Sequence, residues 1–198
     1  MTDGKIMRHC YKSGHHSVLE FADFTFKITG VSRALTHQLV RHRCASYAQR
    51  SQRYCKEDNF EYVTPPTILN NKEALDLYLD TMMNISKSYS KLVEIGIPAE
   101  DARYLLPNAC ETEICVKMNL RELIHFCNER LCTCAQWEIR QLANKMKKCV
   151  EEVAPDISAF LVPKCESHEI PYCNETKNRS CGKHKTIKEL NDSLKINQ

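Results

Sequence analysis

Residues 112–131 read TEICVKMNLRELIHFCNERL, and two periods meet in them. Thr112, Ile114, Val116 and Met118 alternate with Glu113, Cys115 and Lys117, which predicts a strand with one buried face. Asn119, with Glu122 three residues on, has the form of a capping box, and the run LRELIHFCNERL that follows predicts a helix. Its polar face carries Arg121, His125 and Asn128. A half-buried strand beside amphipathic helices points to an α+β class, with helices packed on a central antiparallel or mixed sheet.

Toward the N-terminus, FTFKI (24–28) alternates in the same way and predicts a second strand, broken at Gly30. Ser32 is a suitable N-cap for a helix through VSRALTHQLVRHR. Val31, Leu35 and Leu39 share its apolar face, while Arg33, His37 and Arg41 recur every fourth residue on another. Residues 45–54 have no clear period and are expected to form a loop. Beyond Pro65 and Pro66, Leu75, Tyr78, Met82, Ile85, Tyr89 and Leu92 alternate spacings of three and four, the signature of a long helix packed along one face. Gly96 stops it, and Pro98 with Glu100 and Asp101 opens a short helix carrying Arg103, closed by Pro107. Toward the C-terminus, CAQWEIRQLANKMKKCVEEVA predicts a helix up to Pro155, and the apolar piece ISAFLV ends at Pro163. A domain over 1–163 with a partly loop-like tail over 164–198 is the expected organisation.

Residues 41–54, RHRCASYAQRSQRY, hold Arg41, Arg43, Arg50 and Arg53 with His42, and no acid follows until Glu57. Side chains this basic repel one another unless an anion lies among them. A solvated face would intersperse acids. The chain as a whole carries a formal charge of only +3, so the basic character is local and suits a defined anionic ligand. Guanidinium forks match phosphate and carboxylate oxygens in pairs. No GxxxxGK[ST] or GxGxxG loop is present, which argues against P-loop and Rossmann folds. The residues point to a nucleotide or dinucleotide held by side chains.

The other classes that composition suggests are weaker. Twelve cysteines might signal a secreted disulfide framework, but MTDGKIMRHCYKSGHH has no apolar signal region. No run approaches membrane-spanning length. The cysteines read as reduced thiols of a cytoplasmic protein, acting mainly as small hydrophobes.

RHRCASYAQRSQR (41–53) matches RHRxxSxxxxSxR without a mismatch, through Arg41, His42, Arg43, Ser46, Ser51 and Arg53. That pattern resembles the signature of the flavin-dependent thymidylate synthases. GHHSVLEFADFTF from Gly14, SRALTHQLV before the signature and NLRELIHFCNERLCTCAQWEIRQLA from Asn119 resemble the same family in the same order. The resemblance implies reductive methylation of dUMP to dTMP, with FAD as cofactor, NADPH as reductant and 5,10-methylenetetrahydrofolate as one-carbon donor. It assigns dUMP binding to Gln38, Arg41, Gln49, Ser51, Arg53, Arg103 and Arg130, and makes Arg130 the principal catalytic residue. It assigns FAD binding to Ser17, Glu20, Arg41, His42, Arg43, Gln49, Asn119, Arg121 and His125. It further implies a homotetramer whose subunits share sites, without membrane or nucleic-acid partners. Many members carry a further N-terminal strand and helix, whereas this chain starts a short way before His15, so a looser hold on the flavin is expected.

Two other readings of the residues stand beside this one. Tyr47 and Tyr54 among the arginines would suit an RNA- or single-strand-binding module, with bases stacked on the rings. In the tail, Cys165, Cys173, Cys181 and His184, with His168 nearby, are zinc-ligand types, but their seven-residue gaps resemble neither a ribbon nor a finger. Incidental thiols and no metal are the expectation there.

Overall fold

The computed structural model describes residues 3–195. Residues 1–2 of the expected domain and 196–198 of the expected tail lie outside the described residues. In chain order the elements are α1 (Asp3–Lys12), a 3-10 turn (His16–Phe21), β1 (Asp23–Ser32), α2 (Arg33–Leu39), β2 (Ala45–Gln49), α3 (Pro66–Leu69), α4 (Lys72–Glu94), α5 (Ala99–Ala102), β3 (Glu111–Asn119), α6 (Leu120–Arg130), α7 (Trp137–Val153), α8 (Pro155–Ser158) and α9 (Ile187–Lys195). The three strands form one antiparallel sheet in the order β1-β3-β2. The class is α+β, as the alternation in β3 predicts.

β3 is the central strand, and its register follows from its pattern. Thr112, Ile114, Val116 and Met118 are buried, while Glu113, Cys115 and Lys117 are exposed. A slip of one residue would turn the apolar set to solvent. β1 runs past Gly30 rather than ending there; Gly30 has φ +65, a conformation that costs glycine little, so the strand bends and continues to Ser32. Ser32 then caps α2, its Oγ accepting from the Leu35 N–H at 3.0 Å. α2 ends at Leu39 rather than at Arg43, and the expected loop after it holds β2. Arg50 N–H donates to the Glu113 carbonyl just beyond β2. Strand β2 carries no apolar alternation in the sequence, because its more buried positions are Ala45, Tyr47 and Gln49, too polar a set to form an apolar stripe.

The chain divides into two compact units: unit 1 comprises the described residues of Met1–Thr25, His42–Ala45 and Lys117–Gln198, and unit 2 comprises Phe26–Arg41 and Ser46–Val116. In unit 2, α4 is capped by Asn71, whose Oδ1 accepts from Ala74 N–H at 3.1 Å. It packs by the expected face: Met82 and Tyr89 are buried, and Tyr78 and Ile85 are half-buried against Phe60, Met82 and Cys110. The buried Tyr89 hydroxyl accepts from Glu57 N–H, and Tyr78 donates to the Val63 carbonyl, so both phenols have partners inside the packing. Gly96 at φ +91 ends the run.

In unit 1, Asn119 caps α6 by accepting from Glu122 N–H at 3.0 Å. Leu120, Leu123, Phe126 and Cys127 of α6 are buried, as are Ile139, Leu142, Ala143, Met146 and Val150 of α7. α7 begins at Trp137, three residues later than expected, because the Gln136 side chain accepts from Glu138 and Ile139 N–H and sets the start there. Phe160 and Leu161 of the apolar piece are buried, with Tyr11 stacked on Phe160 at 4.5 Å. The tail is irregular apart from a 3-10 turn at Lys164–Glu166, a single bridge between Cys173 and Thr186, and α9.

Candidate active site

Within unit 1 the expected residues gather along α6 and the segment His42–Ala45. Arg130 Nε–H donates to His42 Nε2 at 3.0 Å. His42 is 6% exposed, with its ring edge-on to Phe126 at 5.0 Å and 5.7 Å from His125. Its Nδ1 lies 3.3 Å from Glu122 Oε1, within ion-pair distance though not aligned as a hydrogen bond. Burial first, then the Arg130 and His125 charges, push the His42 pKa down to about 4. A neutral ring that accepts at Nε2 carries its proton on Nδ1, toward Glu122. The Arg130 cation is therefore held by a neutral acceptor, which orients it without cancelling its charge. Glu122 pairs with His42 in place of completing a capping box, and burial raises its carboxyl pKa.

Other expected residues of unit 1 sit nearer solvent. Arg121 is paired with Glu20. Asn119 spends its oxygen on the cap, which leaves its amide N–H groups for a ligand. Ser17, Arg43 and His125 are exposed. Asn128 Oδ1 is buried without a hydrogen-bond partner among the described residues, and Asn128 lines a cavity with Arg130.

Within unit 2, α5 draws two of the expected arginines to one place. Arg53 Nε and Nη2 donate to Glu100 Oε2 at 3.0 and 2.8 Å, and Arg103 Nε donates to the Glu100 carbonyl at 3.0 Å. Gln49 donates to Thr36 Oγ1 at 3.0 Å, leaving its own oxygen available. Ser51 Oγ accepts from Arg53 N–H at 3.2 Å, the geometry of a local turn. Gln38 is half-buried and Arg41 is exposed. Arg103 also lines a cavity of about 230 Å³ with Arg33, His37, Gln52 and Tyr104. That is smaller than the ~300–1,000 Å³ of a whole-ligand pocket. It suits part of a nucleotide, such as a phosphate.

The fold corrects one premise of the sequence reading. Arg53 finds an acid in Glu100 and Arg50 finds one in Glu57 at 3.5 Å, so half of the arginine cluster is neutralised from elsewhere in unit 2. Arg41 and Arg43 are exposed, and among the described residues no carboxylate lies within ion-pair distance of them. The demand for an anion therefore falls on each of these two, in its own unit. Tyr47 is half-buried with its hydroxyl donating to the Leu39 carbonyl, which ties up one of the two rings suited to base stacking. Tyr54 is 80% exposed with the Arg53 guanidinium 5.4 Å from its ring centre. Arg33, His37 and Tyr104 were not among the expected site residues. The every-fourth-residue row of Arg33, His37 and Arg41 signalled the first two, and nothing signalled Tyr104.

Residues 1–156 match the family described as thymidylate synthase complementing protein. The flavin-dependent thymidylate synthase of Geobacter sulfurreducens is 47% identical over 185 residues, which cover 92% of this chain and 78% of that protein. This chain belongs to the flavin-dependent thymidylate synthase family. The flavin-dependent thymidylate synthase of Clostridium tetani is 42% identical over 202 residues, 94% of this chain and 80% of its own length. That of Pyrococcus abyssi is 46% identical over 184 residues, covering 89% and 75%.

The residues present fit the group that a flavin-dependent thymidylate synthase requires. Arg43 in unit 1 and Arg41 in unit 2, each without a carboxylate partner among the described residues, each suit a phosphate group. The unpartnered Asn128 oxygen and the free amide of Asn119 suit the donor and acceptor edges of a flavin or its ribityl chain. Two of the buried thiols are unsuited to nucleophilic attack: burial pushes Cys110 up to about 11 and Cys127 up to about 12, so both stay protonated at neutral pH.

Proposed function

We propose that this chain catalyses the reductive methylation of dUMP to dTMP, as a flavin-dependent thymidylate synthase with FAD as cofactor, NADPH as reductant and 5,10-methylenetetrahydrofolate as one-carbon donor. The observation that carries the reading is the complete signature Arg41, His42, Arg43, Ser46, Ser51 and Arg53 in a chain 47% identical over 185 residues to a flavin-dependent thymidylate synthase.

In this reading Gln38, Arg41, Gln49, Ser51, Arg53 and Arg103 bind dUMP, and the basic cavity beside Arg103 supports the assignment of its phosphate there. Ser17, Glu20, Arg41, Arg43, Gln49, Asn119, Arg121 and His125 bind FAD. His42, the remaining member of the triplet assigned to FAD, acts by orienting Arg130. Arg130 polarises a pyrimidine carbonyl and stabilises the negative charge that develops as C5 becomes nucleophilic. Bound FAD supplies the hydride, drawn from NADPH, that completes the methyl group. Because that hydride does not come from the folate, the folate leaves as tetrahydrofolate and NADP⁺ is the oxidised product. Ser51 binds rather than attacks, which agrees with a hydroxyl engaged by a backbone N–H instead of by a base.

We assign the synthase activity to 1–163 and leave 164–198 as an appended tail. The chain works as a cytoplasmic homotetramer with shared sites and without a nucleic-acid partner. Phe21 at 91% exposure and Leu77 at 70% are apolar side chains that such an assembly would cover. Among the described residues no helix is long and apolar enough to cross a membrane. The test is dTMP formation by FAD-supplemented protein given NADPH, dUMP and methylenetetrahydrofolate, with reoxidation of the reduced flavin followed under anaerobic conditions. Tight single-stranded RNA binding with no dTMP formed by the flavin-loaded protein would overturn the reading in favour of the nucleic-acid module.

A further inference from the structure

Five cysteines converge on one cavity in unit 1. Cys132 and Cys134, from the segment after α6, and Cys165, Cys173 and Cys181, from the tail, all line a space of about 250 Å³. None of them is in a disulfide. Cys132 and Cys134 Sγ with a Glu175 carboxylate oxygen lie within 4.8 Å of one another, and so do donor atoms of Cys165, Glu166 and His184. Cys165 lines the same cavity as Cys132, Cys134 and Glu175 of the first group. Thiols gathered from separate parts of a chain, unoxidised and around a common space, are the raw material of a soft-cation site.

The competing donors are either engaged or outside the lining of this cavity. Glu166 is paired with Lys183 and Glu175 with Arg179 at 3.5 Å. Cys134 Sγ donates to the Arg179 carbonyl at 3.2 Å. His184 and His168, whose Nε2 atoms are buried without a hydrogen-bond partner among the described residues, do not line this cavity. What remains is four sulfurs, the number that closes a structural zinc site. Four thiolates around a divalent cation leave two net negative charges. The Arg130 cation and the ion pairs Lys164–Glu129 and Arg179–Glu175 line the same cavity.

We propose that Cys132, Cys165, Cys173 and Cys181 bind a zinc-class divalent cation as a tetrathiolate site that ties the tail to the end of α6. The three tail cysteines are evenly spaced but lack a finger's pairing, because the fourth ligand comes from the body of unit 1. All four cysteines line one cavity, and binding would draw their sulfurs together and release the thiol protons. Cys132 lies two residues after Arg130, so the ion would brace the loop by which the chain leaves that arginine. This inference does not depend on the thymidylate reading.

The experiment uses the full chain, purified under reducing conditions without chelator or a metal-affinity step. Elemental analysis is expected to give about one zinc per chain, and cobalt replacement the strong ligand-field and sulfur charge-transfer bands of a tetrahedral thiolate site. Cys132→Ser, Cys165→Ser, Cys173→Ser and Cys181→Ser should each lose the ion or those bands. Cys134→Ser and the surface control Cys149→Ser should keep both. Thiol labelling of the folded wild type keeps the proposal testable if a variant fails to fold: zinc should slow the labelling of about four thiols at least about tenfold, and a chelator should reverse it. Wild-type chain that takes up neither zinc nor cobalt, labelling unaffected by zinc, or Cys132→Ser retaining the tetrathiolate bands would each overturn the proposal.

Discussion

Replacing His42 with Phe isolates the contact on which the Arg130 assignment turns. Phe keeps a planar ring against Phe126 but removes the acceptor that Arg130 Nε–H reaches at 3.0 Å. A hydrogen bond to a charged group contributes about 1.5–3 kcal/mol. If the whole of it serves to orient the guanidinium in the transition state, turnover falls by about 10- to 150-fold, at about 1.4 kcal/mol per tenfold. The cation itself survives, so the loss should be smaller than that of an Arg130 deletion. The assay is dTMP formation at saturating dUMP and folate, with the flavin absorbance of the same sample reporting cofactor occupancy. His42→Phe should keep its flavin and lose kcat, and His42→Gln, which restores an acceptor, should recover part of it. A His42→Phe enzyme with bound flavin and kcat within about twofold of wild type would refute the positioning role.

The same histidine sets a pH limit on stability. Its folded pKa, about 4, lies below the ordinary 6.5, so the unfolded chain binds its proton first; the contribution is complete above pH 6.5 and drains away as pH falls toward 4, by about 3 kcal/mol. Urea unfolding between pH 7 and 4 should show that slope in the wild type and a flatter one in His42→Gln. Arg130→Lys keeps the charge but loses the planar fork, and a drop in turnover of about 100-fold or more with flavin still bound is expected by steady-state assay. Arg53→Ala should raise the KM for dUMP while changing unfolding stability by less than about 1 kcal/mol, because its pair with Glu100 is half-exposed on both sides. Ser32→Ala removes the α2 cap and should cost about 1 kcal/mol in chemical denaturation without altering flavin content.

The parts of the fold that could be read from residues are those where one element carries its own signal. β3 alternates, α4 repeats at three and four, and Ser32, Asn71 and Asn119 announce helix starts that their side-chain oxygens then make. β2 escaped notice because backbone pairing, not an apolar stripe, holds it. The extension of β1 past Gly30 escaped because a glycine at positive φ can bend a strand as well as end one. The late start of α7 depends on a glutamine acting as a cap, an uncommon choice at that position.

Residue order alone established the α+β class, the location of the arginine cluster and the family signature, since periodicity, capping and a spaced motif are properties of neighbours along the chain. It left open which of those arginines still require an anion. That outcome rests on Glu100 and Glu57 reaching back to Arg53 and Arg50, on His42 being buried and neutral beneath Arg130, and on Cys132 lining one cavity with the tail thiols. Burial, charge pairing and desolvation act through space between residues far apart in sequence, so they take effect only once the chain has folded.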